Sequence, residues 1–147
     1  MQESEIVILI TGCSSGIGRS LALEFQKRSN CYVYASSRKF TDVEELGAQY
    51  TNMGTIQLDV TNPDSRKAAI DTILKEKGKI DVLINNAGYA LFGPVTELDE
   101  EQLVQQYQTN VFGAVALGMI LYVILYGLFC AFTSLPITVF FAGWVLS

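Results

Sequence analysis

Five consecutive apolar residues, Ile6, Val7, Ile8, Leu9 and Ile10, run directly into Thr-Gly-Cys-Ser-Ser-Gly-Ile-Gly at residues 11–18. A strand that is apolar on both faces must be covered on both, which selects a parallel sheet with helices above and below. Gly12, Gly16 and Gly18 let the chain turn sharply and bring its backbone close to a bound phosphate. They also start a helix hard against the strand, with free N–H groups and the positive dipole end facing the anion. Ile17, Leu21 and Phe25 share one face of that helix, with Arg19, Gln26 and Arg28 off it. The stretch reads as a nucleotide-binding loop, although its Gly-x-x-x-Gly-x-Gly spacing departs from the standard dinucleotide fingerprint.

The following residues alternate between strand-like and helix-like segments. Strands are predicted over about 5–11, 31–36, 54–59 and 80–85, and helices over about 16–29, 41–49 and 63–77. The last of these helices carries its own punctuation, with Asn62 as N-cap, Pro63 at the first helical position and Gly78 just past the end. Its inner face is Ala69, Ile70, Ile73 and Leu74. Such alternation predicts an α/β fold, a Rossmann-type doubly wound parallel sheet in strand order 3-2-1-4. Nothing after the fourth strand continues the pattern, so the sheet is expected to be truncated and followed by an apolar C-terminal helix. A nucleotide-binding half-domain over 1–117 and an apolar tail over 118–147 are the expected divisions. The strand at 80–84 would then be an exposed edge, prone to pairing with other chains unless the tail covers it.

Charge is distributed very unevenly along the 147 residues. All ten basic and fifteen acidic residues precede Gln102, and the net charge is −5. No basic stripe exists to neutralise phosphates, which argues against nucleic-acid partners. There are no histidines, and Cys13, Cys31 and Cys130 show no metal-ligand spacing, so neither a metal nor a disulfide framework is expected. Cys13 could be a reactive thiol at a helix start or a small loop residue; the second is favoured. The acidic start, Met1-Gln2-Glu3-Ser4-Glu5, shows neither a secretory signal nor a basic transit sequence, so the nucleotide-binding half is expected to face the cytosol.

Four signals in order resemble the short-chain dehydrogenase/reductase family: Thr-Gly-x-x-x-Gly-Ile-Gly at 11–18, Asp59-Val60, Asn85-Asn86-Ala87-Gly88, and Asn110 within a helix. The resemblance covers about residues 5–117. Within the family it is nearest to NADP-using reductases of lipid-type alcohols and ketones, such as acyl-dihydroxyacetone-phosphate reductases or retinol and hydroxysteroid dehydrogenases. It implies that Gly12, Ser14, Ser15, Gly16, Ile17 and Gly18 contact the pyrophosphate and adjoining ribose. Asp59 resembles the acceptor for the adenine amino group, with Val60 beside the ring, although an aspartate there could merely cap a turn. Asn86, Ala87 and Gly88 would line the pocket near the ribose and nicotinamide, while Asn85 ties the strand to its neighbours. Asn110 resembles a catalytic relay position.

The end of the second strand bears on the choice of cofactor. An NAD site places an acid there for the ribose hydroxyls. Residues 35–39 carry no acid; they offer Ser37, Arg38 and Lys39. A guanidinium can hold a phosphate with two parallel hydrogen bonds, so the cofactor is read as NADP(H), unless Arg38 is simply a solvated turn residue. The family's Tyr-x-x-x-Lys pair is absent: no tyrosine here is followed four residues later by lysine. An unassisted tyrosine, with a pKa of about 10, is poorly matched to proton donation, so hydride transfer is expected to be very slow.

The stretch 111–135 is apolar all round and ends at Pro136. As a helix it would reach about 37 Å, enough for a bilayer core of about 30 Å. Tyr122, Tyr126 and Trp144 suit membrane interfaces, although Tyr122 falls near the middle. The beginning of the stretch also resembles a helix that docks on the sheet, and it cannot both dock and span. Three readings stay open: docking to about Leu117 with membrane contact through 118–135, a cover for the sheet edge, or an aberrant extension without selected function.

Overall fold

The computed structural model describes residues 4–129. The expectations that rest on residues 1–3, Cys130, Pro136 and Trp144 lie outside the described residues. Four strands form one parallel sheet: β1 (Ile6–Ile10), β2 (Cys31–Ser37), β3 (Met53–Gln57) and β4 (Val82–Ile84), in the order β3-β2-β1-β4. Between them lie α1 (Gly16–Phe25), a 3₁₀ turn (Phe40–Asp42) with α2 (Glu44–Gln49), and α3 (Pro63–Lys77). After β4 come α4 (Glu100–Tyr107), a π-helical stretch (Gln108–Gly113) and α5 (Ala114–Phe129).

The apolar run at the start divides by the strand period of two. Val7 and Leu9 enter one core layer with Leu58, Ile70, Ile73 and Leu83; Ile8 and Ile10 enter the other with Ala22, Val33, Val43 and Leu46. All four β1 residues from Val7 to Ile10 are buried, as a central strand covered on both faces requires.

Helix ends follow the punctuation where it exists. The Asn62 side chain accepts from the Ser65 N–H at 3.0 Å, Pro63 opens α3, and Gly78 closes it in the left-handed conformation, donating its N–H to Leu74 O at 2.8 Å. α4 is capped by Asp99, whose carboxylate accepts from the Glu101 N–H at 3.2 Å. α1 is shorter than expected. The chain leaves it after Phe25, and turns donate Arg28 N–H to Phe25 O and Cys31 N–H to Arg28 O, which deliver the chain into β2.

α5 packs on the sheet face that α3 also covers. Leu117 and Leu121 are buried with Leu58, Val60 and Ile70, and Ile120 and Ile124 lean on the same layer. Burying each leucine contributes about 1.5–3 kcal/mol. The contact continues past Leu117, one turn beyond the docked part expected from the sequence, and α5 is unbroken there. The run Glu100–Ile124 is also long and apolar enough to cross a membrane by length and composition. Close approach of this arm is set by Gly113, where a Cβ would lie 2.8 Å from the Val60 carbonyl oxygen.

Candidate functional site

The carboxyl ends of the strands share one rim of the sheet, with Ile10 paired to Ile84 and Ser37 to Gln57. β1 lies between β2 and β4, so the connections from its end diverge and leave a crevice, where open α/β sheets take ligands. The crevice has a volume of about 390 Å³. Its walls are Gly12, Ser14, Ser15, Gly16 and Ile17 from the first loop, Ser37 and Arg38 from β2, and Leu58 and Val60 after β3. Asn86, Ala87, Gly88, Tyr89 and Thr109 complete it.

The loop earns its glycines. Gly12 sits at φ 73°, and a Cβ there would lie 2.7 Å from Ala87 Cα, so neither the conformation nor the space admits a side chain. Ser15 opens α1 in extended conformation with no side-chain cap, leaving the first-turn N–H groups open toward the crevice. Ile17 is 62% exposed and forms part of the crevice wall, whereas its spacing with Leu21 and Phe25 had suggested the packed face. The fully buried positions of α1 are Gly18 and Ala22, and Leu21, Leu23 and Phe25 pack half-buried against the same core layer.

Two of the expected cofactor-binding residues are not on the wall. Gly18 lies beneath the loop, where a Cβ would come within 2.4 Å of both Asn86 Nδ2 and Gly12 O; its part is close packing. Asp59 turns its Oδ1 into its own turn, accepting from the Thr61 N–H at 2.9 Å and Thr61 Oγ1 at 2.7 Å. Oδ1 thus caps the turn, which leaves the adenine contact expected of Asp59 to its Oδ2.

What holds the two halves of the crevice together is Thr11. Its buried Oγ1 accepts from Asn86 N–H at 3.0 Å and from Ala87 N–H at 2.9 Å. Asn86 answers by donating its Nδ2 to Thr11 O at 2.9 Å and Gly12 O at 3.1 Å. The segment after β4 is thereby locked onto the first loop. Asn85 is buried and donates its Nδ2 to Ala114 O of α5 at 3.4 Å, which ties the end of β4 to a neighbouring helix. Its Oδ1 is buried without a partner among the described residues.

Asn110 lies in the π-helical stretch and clamps the Tyr89 backbone from both sides, accepting its N–H at 3.1 Å and donating to its carbonyl at 2.7 Å. Gln106 adds a donor to the same carbonyl at 3.2 Å. Asn110 therefore shapes the crevice wall through Tyr89, a contact for which the sequence offers no spacing signal.

At the β2 end, Arg38 is exposed and forms no ion pair among the described residues, nor does Lys39. Its backbone is held by Gln57, which donates to Arg38 O at 3.0 Å. The fold also returns an acid that residues 35–39 lack: Asp42, from the 3₁₀ turn, accepts from Ser37 Oγ at 3.2 Å. Cys13 is fully buried, its thiol bonded to Ile10 O at 3.4 Å and pushed up to about 12 by burial. It is the small loop residue, not a nucleophile.

Known proteins share this arrangement. Residues 6–123 match the family model described as short chain dehydrogenase. Over 120 residues the chain is 38% identical to the uncharacterized oxidoreductase YbbO of Escherichia coli K12, covering 81% of this chain and 42% of that protein. Over 112 residues it is 38% identical to the NADPH-dependent 3-dehydrocapnine reductase of Ornithobacterium rhinotracheale, covering 74% and 39%. The solved structure of a short-chain dehydrogenase from Streptomyces avermitilis matches with a TM-score of 0.78 at 32% identity, covering 86% of this chain and 47% of that one. The chain thus spans less than half the length of the relatives it matches. Because the match runs from the first strand into α5 on the same sheet, the chain belongs to the short chain dehydrogenase family.

Proposed function

We propose that this chain binds NADP(H) in the crevice, as the cofactor-binding portion of an oxidoreductase that interconverts carbonyl and alcohol groups. The observation that carries the reading is that the uncapped start of α1 and Arg38 share one crevice, with Lys39 in the depression beside it and neither cation ion-paired among the described residues. The first suits a pyrophosphate and the second an additional phosphate ester. The likeness to an NADPH-dependent 3-dehydrocapnine reductase supports the same choice.

In this reading the N–H groups of Ser14, Ser15, Gly16 and Ile17 hold the pyrophosphate, and the bare backbone at Gly12 admits it. Gly18 lets α1 approach closely. Arg38, next to Ser37 on the crevice wall, receives the 2′-phosphate of the adenosine ribose. Val60 packs beside the adenine, and Asp59 offers the amino group its Oδ2, since Oδ1 is engaged by Thr61. Asn86, Ala87 and Gly88 line the nicotinamide end, where Asn110 fixes the wall through Tyr89. The bound cofactor supplies a hydride. Within these 147 residues no tyrosine–lysine pair at the four-residue spacing supplies the proton, so the chain alone is expected to bind cofactor and turn it over very slowly. The substrate is assigned to the class of lipid-type carbonyls, and the site to the cytosolic side.

NADPH fluorescence titration tests the assignment. Replacing Arg38 by Ala should weaken NADPH by roughly 10- to 100-fold, the worth of a charge-assisted pair, and NADH far less. Equal loss for both would remove the NADP assignment.

A second reading concerns residues from 118 onward. α5 presents Met119, Tyr122 and Val123 to solvent at 62%, 59% and 65% exposure, an apolar row suited to membrane contact through 118–135. Flotation of the chain with neutral lipid vesicles supports that contact; a chain that stays at the bottom of the gradient removes it.

A further inference from the structure

We propose that Asp42 sets how far this site discriminates between the two nicotinamide dinucleotides, an inference that rests on the cofactor assignment above. Beside the crevice is a depression of about 400 Å³ walled by Ser14, Ser37, Arg38, Lys39 and Asp42. The two cations come directly from the end of β2. The carboxylate comes from the 3₁₀ turn and is brought back by hydrogen bonds on three of its groups.

Asp42 Oδ2 accepts from Ser37 Oγ at 3.2 Å. Its N–H donates to Lys39 O at 3.1 Å, and its carbonyl accepts from Arg19 Nη1 at 3.4 Å. Arg19 is itself held by an ion pair to Glu45. Asp42 therefore has a defined place, and among the described residues no cation is ion-paired with it. Ser37 is 5% exposed and its hydroxyl is already directed at Asp42, so it is not a free donor for an incoming phosphate.

The consequences for the two cofactors have opposite sign. A 2′-phosphate entering the depression meets two cations and one fixed carboxylate of its own sign. A 2′-hydroxyl entering the same place meets a ready acceptor. The carboxylate thus opposes what Arg38 and Lys39 favour, and the site accepts NADPH and NADH with less discrimination than its cations alone would give.

Calorimetric titration of the whole chain with NADPH and with NADH reads this directly, without turnover. Asp42→Asn keeps a carbonyl to accept from Ser37 Oγ and removes only the charge. It should tighten NADPH about tenfold at low salt and leave NADH unchanged or weaker, with the gain shrinking as salt rises. Ser37→Ala, which frees the carboxylate but keeps its charge, should not reproduce the gain. If wild type binds NADPH while Asp42→Asn binds it within twofold of wild type, or tightens both cofactors equally, the role of Asp42 is overturned and the cofactor assignment stands. If wild type binds neither dinucleotide, the assignment itself fails and this inference with it. Matching thermal midpoints of wild type and Asp42→Asn confirm that the comparison concerns charge and not folding.

Discussion

Replacing Thr11 by Val removes a hydroxyl while keeping the shape of the side chain, and the structure lets the cost be worked out. Thr11 is 1% exposed, and its Oγ1 is the acceptor for two backbone N–H groups, those of Asn86 and Ala87. Water cannot replace it without opening the junction between the first loop and the end of β4. Each buried donor left without a partner costs about 1–3 kcal/mol, so the pair costs about 2–4 kcal/mol after partial relaxation. Domains of this size are stable by about 5–15 kcal/mol, so the loss is a large share. With a urea slope of about 1–3 kcal/mol per molar, the unfolding midpoint followed by circular dichroism should fall by about 1–2 M. Thr11→Ser retains the acceptor and should lose well under half as much. The reasoning is refuted if Thr11→Val unfolds within 0.3 M of wild type, or if the serine variant is damaged as severely as the valine one.

Three further outcomes follow from the same geometry. Gly18→Ala forces a Cβ to within 2.4 Å of Gly12 O, a backbone atom that cannot step aside, and should cost several kcal/mol in the same urea assay, roughly 2–4. Cys13, buried and with its thiol pushed up to about 12, should resist iodoacetamide at pH 8 in the folded chain and react only in denaturant. Tyr34 donates its hydroxyl to Glu76 Oε2 at 2.6 Å, and burial, then that hydrogen bond and the Glu76 charge, raise its pKa above the usual value. The folded state thus favours the neutral phenol. That stabilisation is complete below about pH 10 and is lost as pH rises through the raised value, so wild type should lose stability relative to Tyr34→Phe above pH 10.

The sheet was legible because its strands carry their own burial pattern. Val7 to Ile10, apolar without interruption, could only be a central strand, and Asn62, Pro63 and Gly78 bracket α3 by local chemistry alone. The first loop was legible for the same reason: Gly12 and Gly16 have positive φ and Gly18 has no room for a Cβ, needs that leave glycine in the sequence. What the sequence could not display are contacts made between distant segments. Thr11 looks like any strand-end residue until the segment after β4 folds onto it. Asp42 is five residues beyond Ser37 and returns to it only because the 3₁₀ turn reverses the chain. Ile17 fits an apolar helix face by spacing, but the crossing of α1 over the sheet turns it toward the crevice. Leu121 is one turn past Leu117, where the docked part was expected to end, yet it is buried by the same sheet face and lies within the family match.

Amide hydrogen exchange of the chain with and without NADPH tests the central claim most directly. Binding should slow exchange at residues 14–17, 37–38 and 86–89, and leave the far side of the sheet around Gly47 and Gly54 unchanged. Unaltered exchange at residues 14–17 under saturating NADPH, or protection confined to the far side, would contradict it.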